Sequence, residues 1–179
     1  MPTTPVIFID GNPLRASELA QMVPSLALIV EALQTGFSTS APEPGQRARD
    51  KVLAHHVAGG CFAEAVDLTT MDGKSLRLEL DTENENRFCK WWRETPTKML
   101  LAVALRRGAD AEIELFTAVC EGRIADKPAG PHLLGWDRLF VPAGEDATLA
   151  QLTEAGEIVE FRRAAYEQVA RAFGVPATT

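Results

Sequence analysis

GPHLLGWDRLFVPAG, residues 130–144, opens on Gly130-Pro131 and closes on Pro142-Ala143-Gly144, with Gly135, Trp136 and Asp137 side by side between them. Both ends are turn chemistry, because proline fixes φ and glycine admits the left-handed backbone. A rigid apolar ring and a hydrogen-bond acceptor therefore stand where the chain bends, which suits either a loop facing a ligand or a structural turn with a buried Trp. The flanking segments set the fold class. Upstream, TKMLLAVAL (97–105) and AEIELFTAVCEGRI (111–124) read as two strands joined by RRGAD. Downstream, EIVEFRRAAYEQVARAFG (157–174) is an amphipathic helix ending at Gly174 and stopped by Pro176.

The N-terminal half adds parallel-sheet grammar. PVIFI (5–9) reads as a short buried strand, DGNP (10–13) as a tight loop and LRASELAQMV (14–23) as a helix. SLALIVEAL (25–33) is a candidate second strand, FSTSAPEPG (37–45) a loop and QRARDKVLAHHVA (46–58) a second helix, so the order begins β-α-β-α. CFAEAVDLTTM (61–71) alternates like a strand, MDGK turns, and Leu76, Leu78 and Leu80 alternate with polar residues in a returning strand. DTENENRFCKWWRE (81–94) opens with Asp81 and Thr82 as capping chemistry and carries Phe88, Trp91 and Trp92 near one side of a helix, both tryptophans being expected in packing. The mixture of βαβ units and hairpins predicts an α/β protein with a mixed β-sheet and flanking helices, one domain over residues 1–179.

With 46% of its residues apolar, the chain is able to bury a substantial core. A formal charge of -7 argues against nucleic acid as a partner, since neutralising phosphates supplies most of that affinity. No apolar run is long enough to span a bilayer, and MPTTPVIFID lacks the basic region of an export signal, so a cytoplasmic protein with no membrane partner is expected. Cys61, Cys89 and Cys120 are odd in number and scattered, which points to buried reduced thiols rather than disulfides or zinc.

GNPLRASEL (11–19), RFCKWWRE (87–94), CEGRIADKPAGPHLLGWDRLFVPAGEDATLAQL (120–152) and IVEFRRAAYEQVARAFG (158–174) follow one another in an order and spacing that resembles the inosine triphosphate pyrophosphatase family. Its characteristic block is matched by Gly122, Arg123, Ile124, Pro128, Gly135, Trp136, Asp137, Phe140, Pro142, Gly144, Thr148 and Leu152. The resemblance implies an elongated two-lobed mixed β-sheet with a central nucleotide groove, and a homodimer. It also implies hydrolysis of a nucleoside triphosphate to monophosphate and pyrophosphate with Mg²⁺.

Residue roles follow from the same resemblance. Asn12 and Arg15 correspond to a phosphate loop at a helix N-terminus, where free N–H groups and the helix dipole favour an anion. Arg15 replaces a lysine with a planar fork, and taken alone DGNP reads as an Asn-Pro turn capping a helix. Lys90 corresponds to a phosphate-contacting lysine, although a lysine beside two tryptophans also reads as a solvated cover for an apolar face. Trp136 and Asp137 correspond to the loop approaching base and sugar, with Leu134 in place of a stacking Phe and Arg138 in place of Pro. Arg162, assisted by Arg163, is what remains of a Ser-His-Arg group whose other positions hold Glu160 and Phe161, and His132 is a candidate substitute for the His. Such changes imply altered base choice.

The family's metal-binding acidic pair aligns with Glu64-Ala65. Glu64 and Asp67 are therefore assigned metal and catalytic roles, with Lys90 beside them and Glu31 as the upstream metal ligand. In a regular strand Glu64 and Asp67 face opposite ways. His55 and His56 read as helix-surface residues with no acid spaced to orient them. Two other functions stay open: cleavage of a different bond, such as the N-glycosidic bond of a nucleoside monophosphate, and nucleotide binding without catalysis.

Overall fold

The computed structural model describes residues 5–10, 12–33, 40–55, 59–77 and 84–175. The expected returning strand beyond Arg77, the Asp81-Thr82 cap, Gly11, His56 and the tail from Pro176 lie outside the described residues. The element order is β1 (Val6–Ile9), α1 (Pro13–Met22), β2 (Leu28–Glu31), α2 (Pro44–Ala54), β3 (Cys61–Thr70), α3 (Glu85–Trp92), β4 (Pro96–Arg106), β5 (Ile113–Ile124), a 3-10 segment (His132–Leu139), β6 (Phe140–Pro142), α4 (Leu149–Glu154) and α5 (Glu160–Ala172).

The strands form one mixed sheet in the order β2-β1-β3-β4-β5-β6. β1 runs parallel to β2, with Ile9 beside Glu31, and parallel to β3, with Phe8 beside Phe62. β6 returns antiparallel to β5. The chain divides into two compact units, the first Met1–Ala65, Leu101–Ala118 and Glu160–Thr179, the second Val66–Leu100 and Val119–Val159.

In the first unit the alternation of strand side chains sorts the chemistry. Ile9, Cys61, Ala63 and Ala65 pack with Ala48 and Val52 of α2. Phe8 and Phe62 take the other face, with rings stacked 4.9 Å apart, and Asp10 and Glu64 come two positions after each of them on that face. α1 and α5 pack together, α1 burying Leu19 and Met22 and α5 burying Ala165, Tyr166, Val169 and Ala170. α1 starts where it does because the Asn12 side chain accepts from Leu14 N and Arg15 N, with Pro13 as its first residue. α5 stops at Gly174, whose φ of 76° lets the Val175 N–H return to Ala170 O.

In the second unit β3 ends in the expected turn. The Thr70 N–H donates to Lys74 O, the Leu76 N–H to Leu68 O, and Gly73 takes a φ of 91°. α3 is capped by Asn84, which accepts from Arg87 N, so the helix begins three residues later than the Asp81-Thr82 reading placed it. α4 is an element that periodicity missed, being too short to show a period. Its start is nonetheless written in a capping box, Thr148 and Gln151 each accepting from the other's backbone N–H.

Candidate functional site

Several charged residues of the first unit gather on the Phe8/Phe62 face. Glu64 is buried and its carboxylate is held from two helices. Arg15 Nε of α1 lies 3.1 Å from Oε1, Arg162 of α5 donates to both oxygens at 3.3 and 3.2 Å, and the Tyr166 hydroxyl of α5 donates to Oε2. Arg15 also pairs with Glu18, one turn along α1. Arg15, Glu18, Glu64 and Arg162 are all less than a tenth exposed, two cations against two carboxylates, which is the condition under which charges are tolerated in an interior. Burial, reinforced by the Glu64 charge, drives the Tyr166 hydroxyl pKa well above its ordinary value, so it stays a donor.

Two further charged residues border this group. Asp10, half-buried, follows β1 directly. Its N–H donates to Glu31 O and its Oδ1 accepts from Asn12 N at 3.0 Å. Burial first, then the charge of Glu64, raise its pKa, against the pull of Lys51, the Asn12 N–H and Arg15. Lys51 of α2 donates from Nζ to Glu64 O at 2.7 Å. Asp10, Glu18, Lys51 and Tyr166 were invisible as site residues in the sequence. The one usable signal was Asp10, two positions before the Asn12 cap at the end of a strand.

Asn12 and Arg15 of the expected phosphate loop stand at the start of α1. Pro13 carries no N–H, Leu14 and Arg15 donate to Asn12 Oδ1, and Ala16 donates to Asn12 O, so Asn12 caps the first turn of α1. Arg163 is half-buried, its Nε 3.2 Å from Glu160 Oε1. His55 also departs from expectation. It is buried, with Nε2 2.6 Å from Glu31 Oε2, because β2 supplies the acid that spacing along α2 did not.

In the second unit Asp67 is buried and accepts from Ser75 Oγ at 3.1 and 3.0 Å across the hairpin. Lys90 is exposed on α3. Trp91 is 57% exposed, with the Arg87 guanidinium over its ring at 4.6 Å, so it is a surface group and not the packing group expected of it. Trp92 stacks on Phe88 at a centroid distance of 6.4 Å. In the opening loop Gly135 breaks the 3-10 segment with φ 50° and ψ -119°, Trp136 is half-buried and Asp137 is buried. Leu134 is buried while His132 is exposed, so the residue in the stacking position is a core contact. Arg138, which replaces a proline, ties the loop instead, donating to Gly130 O at 3.0 Å and pairing with Glu85. Cys61 and Cys89 are buried as expected, whereas Cys120 is half-buried because β5 is partly solvated along most of its length.

These residues do not fit a resident Mg²⁺, which takes several hard oxygen ligands. The oxygens of Glu64 are engaged by Arg15, Arg162 and Tyr166, those of Asp67 by Ser75, and Glu31 by His55, while Ala65 brings no oxygen. Among the described residues no three or more His, Cys, Asp or Glu side chains are grouped to hold a metal ion.

A model of the Ham1 family matches residues 76–172. The dITP/XTP pyrophosphatase of Thermococcus kodakarensis is 41% identical over 44 residues, 25% of this chain. That stretch covers only 24% of the Thermococcus protein's own length. The dITP/XTP pyrophosphatase of Christiangramia forsetii is 22% identical over 176 residues, covering 86% of this chain and 90% of that protein. Among solved structures, a HAM1 protein from Coxiella burnetii superposes with a TM-score of 0.69 at 15% identity, covering 95% of this chain and 98% of that one.

Proposed function

The chain belongs to the Ham1 family, and on that premise we propose that it is a nucleoside triphosphate pyrophosphatase acting on non-canonical purine nucleotides and releasing monophosphate and pyrophosphate. The observation that carries this reading is the family match over residues 76–172, which takes in Lys90, the Gly135-Trp136-Asp137 loop and Arg162 together. The substrate class comes from the relatives, which are named dITP/XTP pyrophosphatases.

In this reading Lys90 supplies an exposed cation for phosphate, and Trp136 and Asp137 supply an apolar wall and an acceptor for the nucleoside. Arg15 and Arg162 supply buried guanidinium groups of the first unit, and Arg163 follows Arg162 in the chain. Their engagement by Glu64 means that a bound phosphate has to share them. The altered surroundings of Arg162, with Glu160 and Phe161 before it, support a base preference different from that of the relatives. No step is assigned to a resident metal ion, and none to Glu31 or Asp67.

One observation favours a second reading, nucleotide binding without hydrolysis: the carboxylate of Glu64 is fixed by two arginines and a tyrosine, and its neighbour is Ala65. Chromatography of ITP, XTP, dITP, the canonical triphosphates and the monophosphates after incubation separates the readings. Each is run once with Mg²⁺ and once with EDTA. Monophosphate and pyrophosphate from ITP or XTP support the pyrophosphatase. Release of free base moves the cleaved bond to the glycosidic one. Binding with an unchanged panel supports the second reading.

A further inference from the structure

Glu64 is poorly suited to exchange a proton with a bound molecule. It is 7% exposed, and Arg15, Arg162 and Tyr166 all favour its anionic form. Asp10 differs in each respect. It is half-buried rather than enclosed, and among the described residues its carboxylate accepts a hydrogen bond from Asn12 N alone. It stands at the carboxyl end of β1, the central strand of the parallel trio β2-β1-β3, and ligands of open parallel sheets bind outside the carboxyl ends of the strands. It also adjoins the start of α1, where the dipole favours negative charge. Three charged groups face it from the packed elements: Glu64 of β3, Lys51 of α2 and Arg15 of α1.

We propose that Asp10 is the general base of the hydrolysis, taking a proton from the water that attacks the triphosphate, with Glu64 as its fixed electrostatic partner. This rests on the pyrophosphatase reading above. The water oxygen bonds to the α-phosphorus and passes its proton to an Asp10 carboxylate oxygen. The bond from that phosphorus to the bridging oxygen breaks, and the bridging oxygen keeps the electron pair as pyrophosphate departs. Asp10 then returns the proton to solvent. Glu64 sets a negative charge beside the Asp10 carboxylate, and Lys51 and Arg15 set positive charge around it.

The test compares wild type, Asp10→Asn and Asp10→Glu by single-turnover pyrophosphate release from XTP, alongside equilibrium XTP binding. Asn at position 10 keeps the oxygen that accepts from Asn12 N, so the loop retains its hydrogen bond. The expected result is a loss of roughly 100-fold or more in the Asp10→Asn release rate, the scale of general-base catalysis, with affinity within about threefold. Asp10→Glu, which keeps a carboxylate, is expected to release at least about tenfold faster than Asp10→Asn. Asp10→Asn releasing at the wild-type rate, Asp10→Glu no faster than Asp10→Asn, or rate and affinity falling in parallel each overturns the role of Asp10 and leaves the pyrophosphatase reading standing. A wild type that binds XTP and releases no pyrophosphate overturns both.

Discussion

Arg162 and Tyr166 stand one turn apart on α5, so both reach the same carboxylate. Glu64 was legible as a special residue, since it sits where the family carries an acid, but its neutralisation was not, because Arg162 lies 98 residues away in the chain. Removing one charge from a buried, balanced cluster is more damaging than never having had the cluster. Glu64→Gln should therefore cost about 3 kcal/mol or more, a fall of roughly 6–12 °C in Tm by calorimetry. Alkaline stability draws on other buried groups, Cys89 and Tyr166 among them. Burial, reinforced by Glu85, pushes the Cys89 thiol up to about 11. Its raised folded pKa contributes stability that is complete below the unfolded thiol value and lost as pH climbs toward 11. Tyr166 acts in the same direction above its ordinary value of about 10. Tm is therefore expected to fall between about pH 9 and 11, and less steeply in Cys89→Ala. With a thiol-reactive dye at pH 8 the half-buried Cys120 should react in a fast phase, Cys61 and Cys89 only as the chain unfolds.

Elements are held in place by residues that the sequence displayed with differing clarity. The Gly135 break, the turn at Gly73 and the stop at Gly174 were readable because glycine at those points has a backbone reason, a positive φ. Gly122 was readable only as a member of the family block. The structure supplies its cause, since a Cβ there would collide with Val141 O, where β5 pairs with β6. Gly122→Ala should cost about 2 kcal/mol by overpacking, seen as an earlier urea midpoint with an unchanged slope. Thr148 caps α4 and also donates to Ala129 O at 2.9 Å, tying the start of the helix to the segment before the Gly-Trp-Asp loop. Thr148→Ala should cost about 1–2 kcal/mol, read as roughly 2–8 °C in Tm. The His55–Glu31 contact and the Asn84 cap were missed for opposite reasons. The former joins residues 24 apart, and the latter was hidden by better-looking capping residues upstream.

At the scale of the molecule, the β-α-β-α opening, the second hairpin and the closing helix were all legible, and together they fixed a mixed sheet flanked by helices. Strand order was not, because register and neighbour choice depend on contacts distant in sequence. The candidate site divides in the same way: its residue types were present in the motifs, whereas the pairing of Glu64 with two arginines emerged only when three segments of the chain came together. The reaction proposed for this Ham1-family chain is cleavage of triphosphates between the α and β phosphates. Phosphorus NMR of XTP incubated with the protein and Mg²⁺ tests it most directly. The account predicts monophosphate and pyrophosphate resonances growing in equal amounts as the triphosphate decays. Diphosphate with orthophosphate, or a spectrum that never changes in the presence of saturable binding, would contradict it.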